Sequence, residues 1–178
     1  MGISKEVHAQ APTPTPSLAP IPDSVPSISP FHGVPVRLMI PLLHTNATIL
    51  PMGVTEDGSM QVPDSITDVG WYKLGARPGQ TGTAVIAGHV DGKNGEDGVF
   101  AQLKSLKPGA AIGVEDAFGN IGAFIVKDSK TYDQSVDTSK IFASQDGTHL
   151  NLITCEGAWD QTKQTYTKRL VVFADLMR

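Results

Sequence analysis

Thirteen prolines and 18 glycines cut this chain into short segments, so turns are frequent and long helices few. Between the turns lie short runs of apolar or alternating residues. They fall at 34–40, 47–52, 60–62, 68–72, 83–89, 111–114, 121–126, 150–155 and 169–176. Runs of that length, rich in Val and Ile and bounded by Gly, Pro, Asn and Asp, predict strands. Pro35 suits an edge strand or the first position of one. Phe118-Gly119-Asn120 predicts the turn of a hairpin between 111–114 and 121–126, and Glu56-Asp57-Gly58-Ser59 predicts another turn. Apolar residues at 99, 100, 103 and 106 predict one or two helical turns, closed by Lys107-Pro108-Gly109. Residues 128–148 read as polar and irregular, with one turn near Lys140-Ile141-Phe142, and 156–168 reads as a loop. Roughly eight short strands with one or two helical turns predict an all-β barrel or sandwich.

The first 33 residues obey a different rule. Prolines recur at 12, 14, 16, 20, 22, 26 and 30, with no apolar periodicity to build a core. Such a segment is expected to be extended and polyproline-like, serving either as a stalk or as a plain disordered terminus. The expected division is therefore a tail at 1–33 and one folded domain at 34–178. The start, Met1-Gly2-Ile3-Ser4-Lys5, lacks the apolar core of a signal peptide. No apolar run is long enough to span a bilayer. The chain is then either cytosolic or lacks an N-terminal anchor that the native protein carries. A net charge of −4 gives no reason to expect nucleic acid or an anionic membrane as a partner.

One residue stands out for chemistry. Cys155 is the only cysteine, so an intramolecular disulfide and a cysteine-rich zinc site are both excluded. It closes the run Leu150-Asn151-Leu152-Ile153-Thr154, just before a Glu156-Gly157 turn. A lone cysteine can be a small buried hydrophobe; at the end of a strand, beside a loop, it can also be a nucleophile. His89 ends the buried run 83–89 in the same way, and Arg169 begins the last run. If the last two strands pair antiparallel, Cys155 and Arg169 meet, and His89 can join them from a neighbouring strand. Taken singly, His89 reads as a hydrogen-bonded structural histidine and Arg169 as a solvated strand end. Together the three supply a working set. The imidazole takes the thiol proton and later delivers it to a leaving amine. The guanidinium stabilises the oxyanion formed when the thiolate attacks an amide. Thr154 is a candidate substrate contact or further donor, or simply a β-branched strand residue.

The order His…Cys…Arg, carried by Ala87-Gly88-His89-Val90-Asp91, Leu152-Ile153-Thr154-Cys155 and Lys168-Arg169-Leu170-Val171-Val172, resembles a sortase. The stretch from Gly70-Trp71-Tyr72 to Asp91 is most similar to the class labelled F, with class E next nearest. The resemblance covers about 34–178. It departs from the family pattern at Asn151, where the signature Thr-Leu-x-Thr-Cys has its first Thr. The resemblance implies an eight-stranded β-barrel and a cysteine transpeptidase that cleaves a Leu-Pro-x-Thr-Gly-like sorting signal between Thr and Gly. Cys155 would carry the thioacyl intermediate, His89 would act as general acid and then base, and Arg169 would hold the carbonyl and its oxyanion. Thr154, Ala87 and Leu152 are the implied substrate contacts. The acceptor would be an amine of a cell-wall precursor or a pilin. The enzyme would be a monomer on the outer face of the cell membrane, held there by an N-terminal anchor, with residues 1–33 as its stalk. No cofactor or metal is implied; Asp91, Glu96 and Asp97 read as solvated loop charges rather than a calcium site.

Three other readings share some of these features. A hydrolytic β-barrel cysteine peptidase keeps the His-before-Cys order but recruits an acidic partner in place of Arg169. An L,D-transpeptidase also pairs His with Cys, yet its Ser-x-Gly-Cys-x-Arg spacing is absent here. A non-enzymatic surface β-domain would hold Cys155 as an inert core residue.

Overall fold

A computed structural model describes residues 33–177 apart from 135, 137, 138, 143–145 and 164. The Pro-rich tail lies outside the described residues. Eight strands close into a barrel: β1 (Pro35–Ile40), β2 (Thr45–Met52), β3 (Val69–Tyr72), β4 (Gly82–Gly88), β5 (Ala111–Asp116), β6 (Ile121–Asp133), β7 (Thr148–Asp160) and β8 (Thr165–Leu176). Around the barrel they run β1-β2-β3-β4-β7-β8-β6-β5. Among the described residues, closure leaves no unpaired sheet edge, and Pro35 takes the first position of β1. The predicted hairpin is β5–β6. Two pairings, β2–β3 and β4–β7, are parallel and the others antiparallel.

The barrel interior follows the period of two that strands impose. Leu38 and Ile40 of β1, Phe124 and Val126 of β6, Leu150 and Leu152 of β7, and Leu170, Val172 and Ala174 of β8 all enter one core. Strand β4 is buried on both faces, as expected of a continuous apolar run in a parallel pair. Its outer face is covered by a single helical turn, α1 (Ser139–Phe142), where the sequence predicted one.

Three segments differ from expectation. The predicted helix at 99–106 is a 3-10 turn at Leu103–Ser105. Phe100, Leu103 and Leu106 are spaced by three, the period of a 3-10 helix, and all are buried. The amides of Leu103 and Leu106 accordingly bond the carbonyls three residues back. The polar stretch after Val126 continues β6 to Asp133, paired with β8 across a bulge. Its side chains are mostly exposed, so no apolar alternation marks it as a strand. The predicted loop at 156–168 is instead a β7–β8 hairpin extending to Asp160 and resuming at Thr165. The run at 60–62 forms only an isolated bridge between Met60 and Val54.

Candidate active site

Strands β4 and β7 run side by side in the same direction, with Ala87 opposite Ile153. β4 ends at Gly88, so His89 follows directly from its end, while Cys155 lies two residues beyond Ile153 in β7. On the other side of β7, antiparallel β8 sets Arg169 opposite Cys155. The pairing of three adjacent strands thus lines up His89, Cys155 and Arg169 in one row. All three line a cleft of about 590 Å³ on the outer face of the barrel. Its floor includes Ala87, Ile153 and Val171; its far walls come from the β2–β3 connection, through Val54, Met60 and Val62, and from α1. Tyr72 and Phe142 meet edge to face at 5.4 Å and close that end.

Each member of the row is held by its neighbours. The His89 carbonyl accepts the Phe100 amide at 2.9 Å, and the Val90 carbonyl accepts the Gly98 amide at 3.0 Å. That crossing needs a glycine, because a Cβ at position 98 would lie 2.4 Å from the His89 oxygen. The His89 ring sets Nε2 2.7 Å from the Pro63 carbonyl. A carbonyl only accepts, so Nε2 bears the proton and Nδ1 is the nitrogen left to exchange one. The Thr154 hydroxyl donates to the Gly88 carbonyl at 2.9 Å, tying the end of β4 to the residue before Cys155.

Burial pushes the Cys155 thiol above its ordinary value; the Arg169 guanidinium pulls against this, and the Asp91 carboxylate adds to it. The resting thiol is therefore protonated at neutral pH and needs a base to become a nucleophile. Arg169 donates from Nη1 to the carbonyls of Tyr166 at 3.2 Å and Lys168 at 3.1 Å, and from Nη2 to Thr165 Oγ1 at 3.4 Å. Its charge is thus parked on the β7–β8 hairpin beside the thiol. The row contains a latent thiolate, a proton carrier and a fixed cation, which is the equipment for acyl transfer.

A family model for the sortase domain matches residues 38–177. The chain belongs to the sortase family. Sortases are cysteine transpeptidases associated with the cell surface, and this one carries its single cysteine in the row just described. Solved structures share the fold at low identity. Sortase C-1 from Actinomyces oris is 21% identical with a TM-score of 0.62, over 80% of this chain and 71% of that one. The sortase D5 transpeptidase of Clostridium perfringens is 21% identical with a TM-score of 0.61, over 82% and 79%. A lid mutant of sortase A from Corynebacterium diphtheriae is 20% identical with a TM-score of 0.63, over 82% and 70%. No curated protein matches the chain.

Within this sortase the other candidates part company. Ala87 faces the cleft. Thr154 borders it, but the hydroxyl is turned to Gly88 and the residue is 4% exposed. Leu152 is fully buried in the barrel core, where its side chain meets other core residues rather than the cleft. Strand alternation explains the difference: 152 and 154 point in, 153 and 155 out. Asn151, the departure from the signature, donates to the Ile141 carbonyl at 2.7 Å and pins α1 over the cleft.

Sequence reading also missed two residues. Asp91, which the sequence presents as a solvated loop charge, is half-buried and accepts a hydrogen bond from the Tyr166 hydroxyl. That bond, with burial and the nearby charges of Asp91 and Cys155, pushes the Tyr166 pKa up to about 12. Tyr166 sits in the segment whose sequence predicts a loop, opposite Trp159 in the hairpin, and the two rings meet edge to face at 5.2 Å. The hairpin reaches that position through a bulge at Gly157, whose φ of +88° favours glycine. The only signal for Asp91 in the sequence is its place two residues after His89.

Proposed function

We propose that this sortase cleaves a Leu-Pro-x-Thr-Gly-like sorting signal between Thr and Gly and joins the Thr carbonyl to an amine of a cell-wall precursor or a pilin. The observation that supports it best is the row His89–Cys155–Arg169 at the end of a cleft with apolar walls. His89 takes the Cys155 proton; the thiolate attacks the Thr carbonyl; Arg169 turns from the hairpin carbonyls to the oxyanion. His89 then protonates the leaving glycine amine, and the thioacyl enzyme remains. Exposed Val54 and Val62 give the cleft an apolar rim suited to the Leu-Pro end of such a peptide. Ala87 contributes to the floor beneath it, and Thr154 ties Gly88, before His89, to β7 beside Cys155.

We place the catalytic domain at 34–178, with 1–33 a stalk that spaces it from the outer face of the membrane. Among the described residues, no helix is long and apolar enough to cross a bilayer. The hydrolytic alternative calls for an acidic partner on His89, whereas the described partner of its ring is the Pro63 carbonyl. Mass spectrometry after incubation with a library of pentapeptide sorting signals tests the proposal. The expected result is a thioacyl adduct on Cys155 that an added amine converts to a new amide. Hydrolysis alone, even with amine in excess, would favour the peptidase. Arg169→Ala should lower kcat by about 10²–10³ while the adduct still forms slowly; unchanged turnover would remove Arg169 from the mechanism.

A further inference from the structure

A second cleft, of about 640 Å³, meets the first at His89 and Cys155. Its other walls are the loop after His89, through Asp91 and Lys93, and the extended hairpin, through Trp159 and Tyr166. The two clefts differ in charge. Among the described residues, the first is lined by Arg169 and by no carboxylate, and the second has Asp91 as its sole carboxylate. Among the described residues, Asp91's only side-chain partner is the Tyr166 hydroxyl, and no cation approaches it to ion-pair distance. Lys93, the cleft's one lysine, is exposed. A carboxylate accepts about four hydrogen bonds, so one donor leaves most of its capacity open.

We propose that this second cleft is the acceptor site and that Asp91, oriented by Tyr166, recognises the incoming primary amine as its ammonium ion. The inference rests on the acyl-transfer reading above. An amide-forming enzyme passes leaving and entering amines through equivalent transition states in opposite directions, so one site on the far side of the thiol serves both. A cation such as Arg169 repels an ammonium ion, whereas a carboxylate attracts it. The bound ammonium gives one proton to solvent, and its nitrogen attacks the thioester carbonyl. The C–N bond forms, the C–S bond breaks, and the second proton passes through His89 to the departing thiolate. The sum is thioester plus ammonium giving amide, Cys155 thiol and one released proton.

The test uses the full chain acylated by a sorting peptide, with glycinamide, an ammonium ion at neutral pH, and hydroxylamine, neutral at that pH, as competing acceptors. Asp91→Asn should lower kcat/KM for glycinamide at least tenfold more than it lowers adduct formation, and shift product from amide toward acid. Its effect on hydroxylamine should be less than threefold. Tyr166→Phe should produce a smaller loss with the same preference. Equal losses for both acceptors, or an unchanged ratio of amide to acid, would overturn the assignment, provided circular dichroism shows folded variants. Wild-type protein that forms no adduct on Cys155 would overturn the acyl-transfer reading, and this one with it; an adduct with no effect of Asp91→Asn would overturn this one alone.

Discussion

Along β7, Leu150 and Leu152 point into the barrel and are fully buried, whereas Ile153 and Cys155 open onto the cleft. The two sets are interleaved in sequence and differ by only the pleat of one strand. The inward set is surrounded by the side chains of the core and contributes stability. The outward set lies against α1, β4 and β8 and is available to a substrate. Placing the thiol on a strand paired on both sides fixes its position, and the barrel supplies that support from residues turned away from the cleft.

Substitutions on the two faces should separate activity from stability. The largest effect on activity is expected at Cys155→Ala, with turnover down by at least ~10³-fold. The same change should move stability by less than about 1 kcal/mol, because the thiol is only half-buried. Denaturant titration beside a peptide-cleavage assay measures both; a protein that unfolds on this substitution would make Cys155 a core residue after all. Leu152→Ala should invert the pattern, losing about 2–5 kcal/mol of stability while residual folded protein still acylates. A loss of peptide affinity without a loss of stability would return Leu152 to the cleft.

Asn151 tests the boundary between the two faces. Its amide holds the Ile141 carbonyl, so Asn151→Ala should cost about 1 kcal/mol and raise KM for the peptide more than it lowers kcat. The smallest effect concerns the thiol's ionisation. Burial holds the Cys155 pKa above its ordinary value, so less thiolate is present at neutral pH and the iodoacetamide alkylation profile should rise only at higher pH than for a free cysteine. Arg169→Ala removes a stabilising cation and should move that profile further up. Asp91→Asn removes a repelling anion and should move it down. Opposite shifts would reverse the electrostatics assigned to the two clefts.

Much of the barrel was legible because burial writes itself into residue type. The buried run at 83–88 and the alternation at 150–154 mark β4 and β7 directly. The extension of β6 through Asp128–Asp133 was not legible, since an exposed strand has no apolar face to announce it. The same holds for the β7–β8 hairpin beyond Glu156, where Gly157 interrupts the pattern at the bulge. At the site, His89, Cys155 and Arg169 were legible as the ends of apolar runs in a family order, although Cys155 and Arg169 lie inside longer strands than those runs mark. Asp91 and Tyr166 were not, because a loop acid and a strand tyrosine 75 residues apart carry no local mark of their contact.

The amino-acid sequence alone determined which side chains are available: one thiol, a histidine closing an apolar run, an arginine opening the last such run, and enough short apolar runs to close a barrel. Only the tertiary structure decided that β4 and β7 lie parallel, so that His89, just past the end of β4, and Cys155 reach one cleft, and that Asp91 meets Tyr166 across a second. The physical reason is common to both. Strand pairing is made by backbone groups that every residue shares, and its register is set by the whole barrel closing at once.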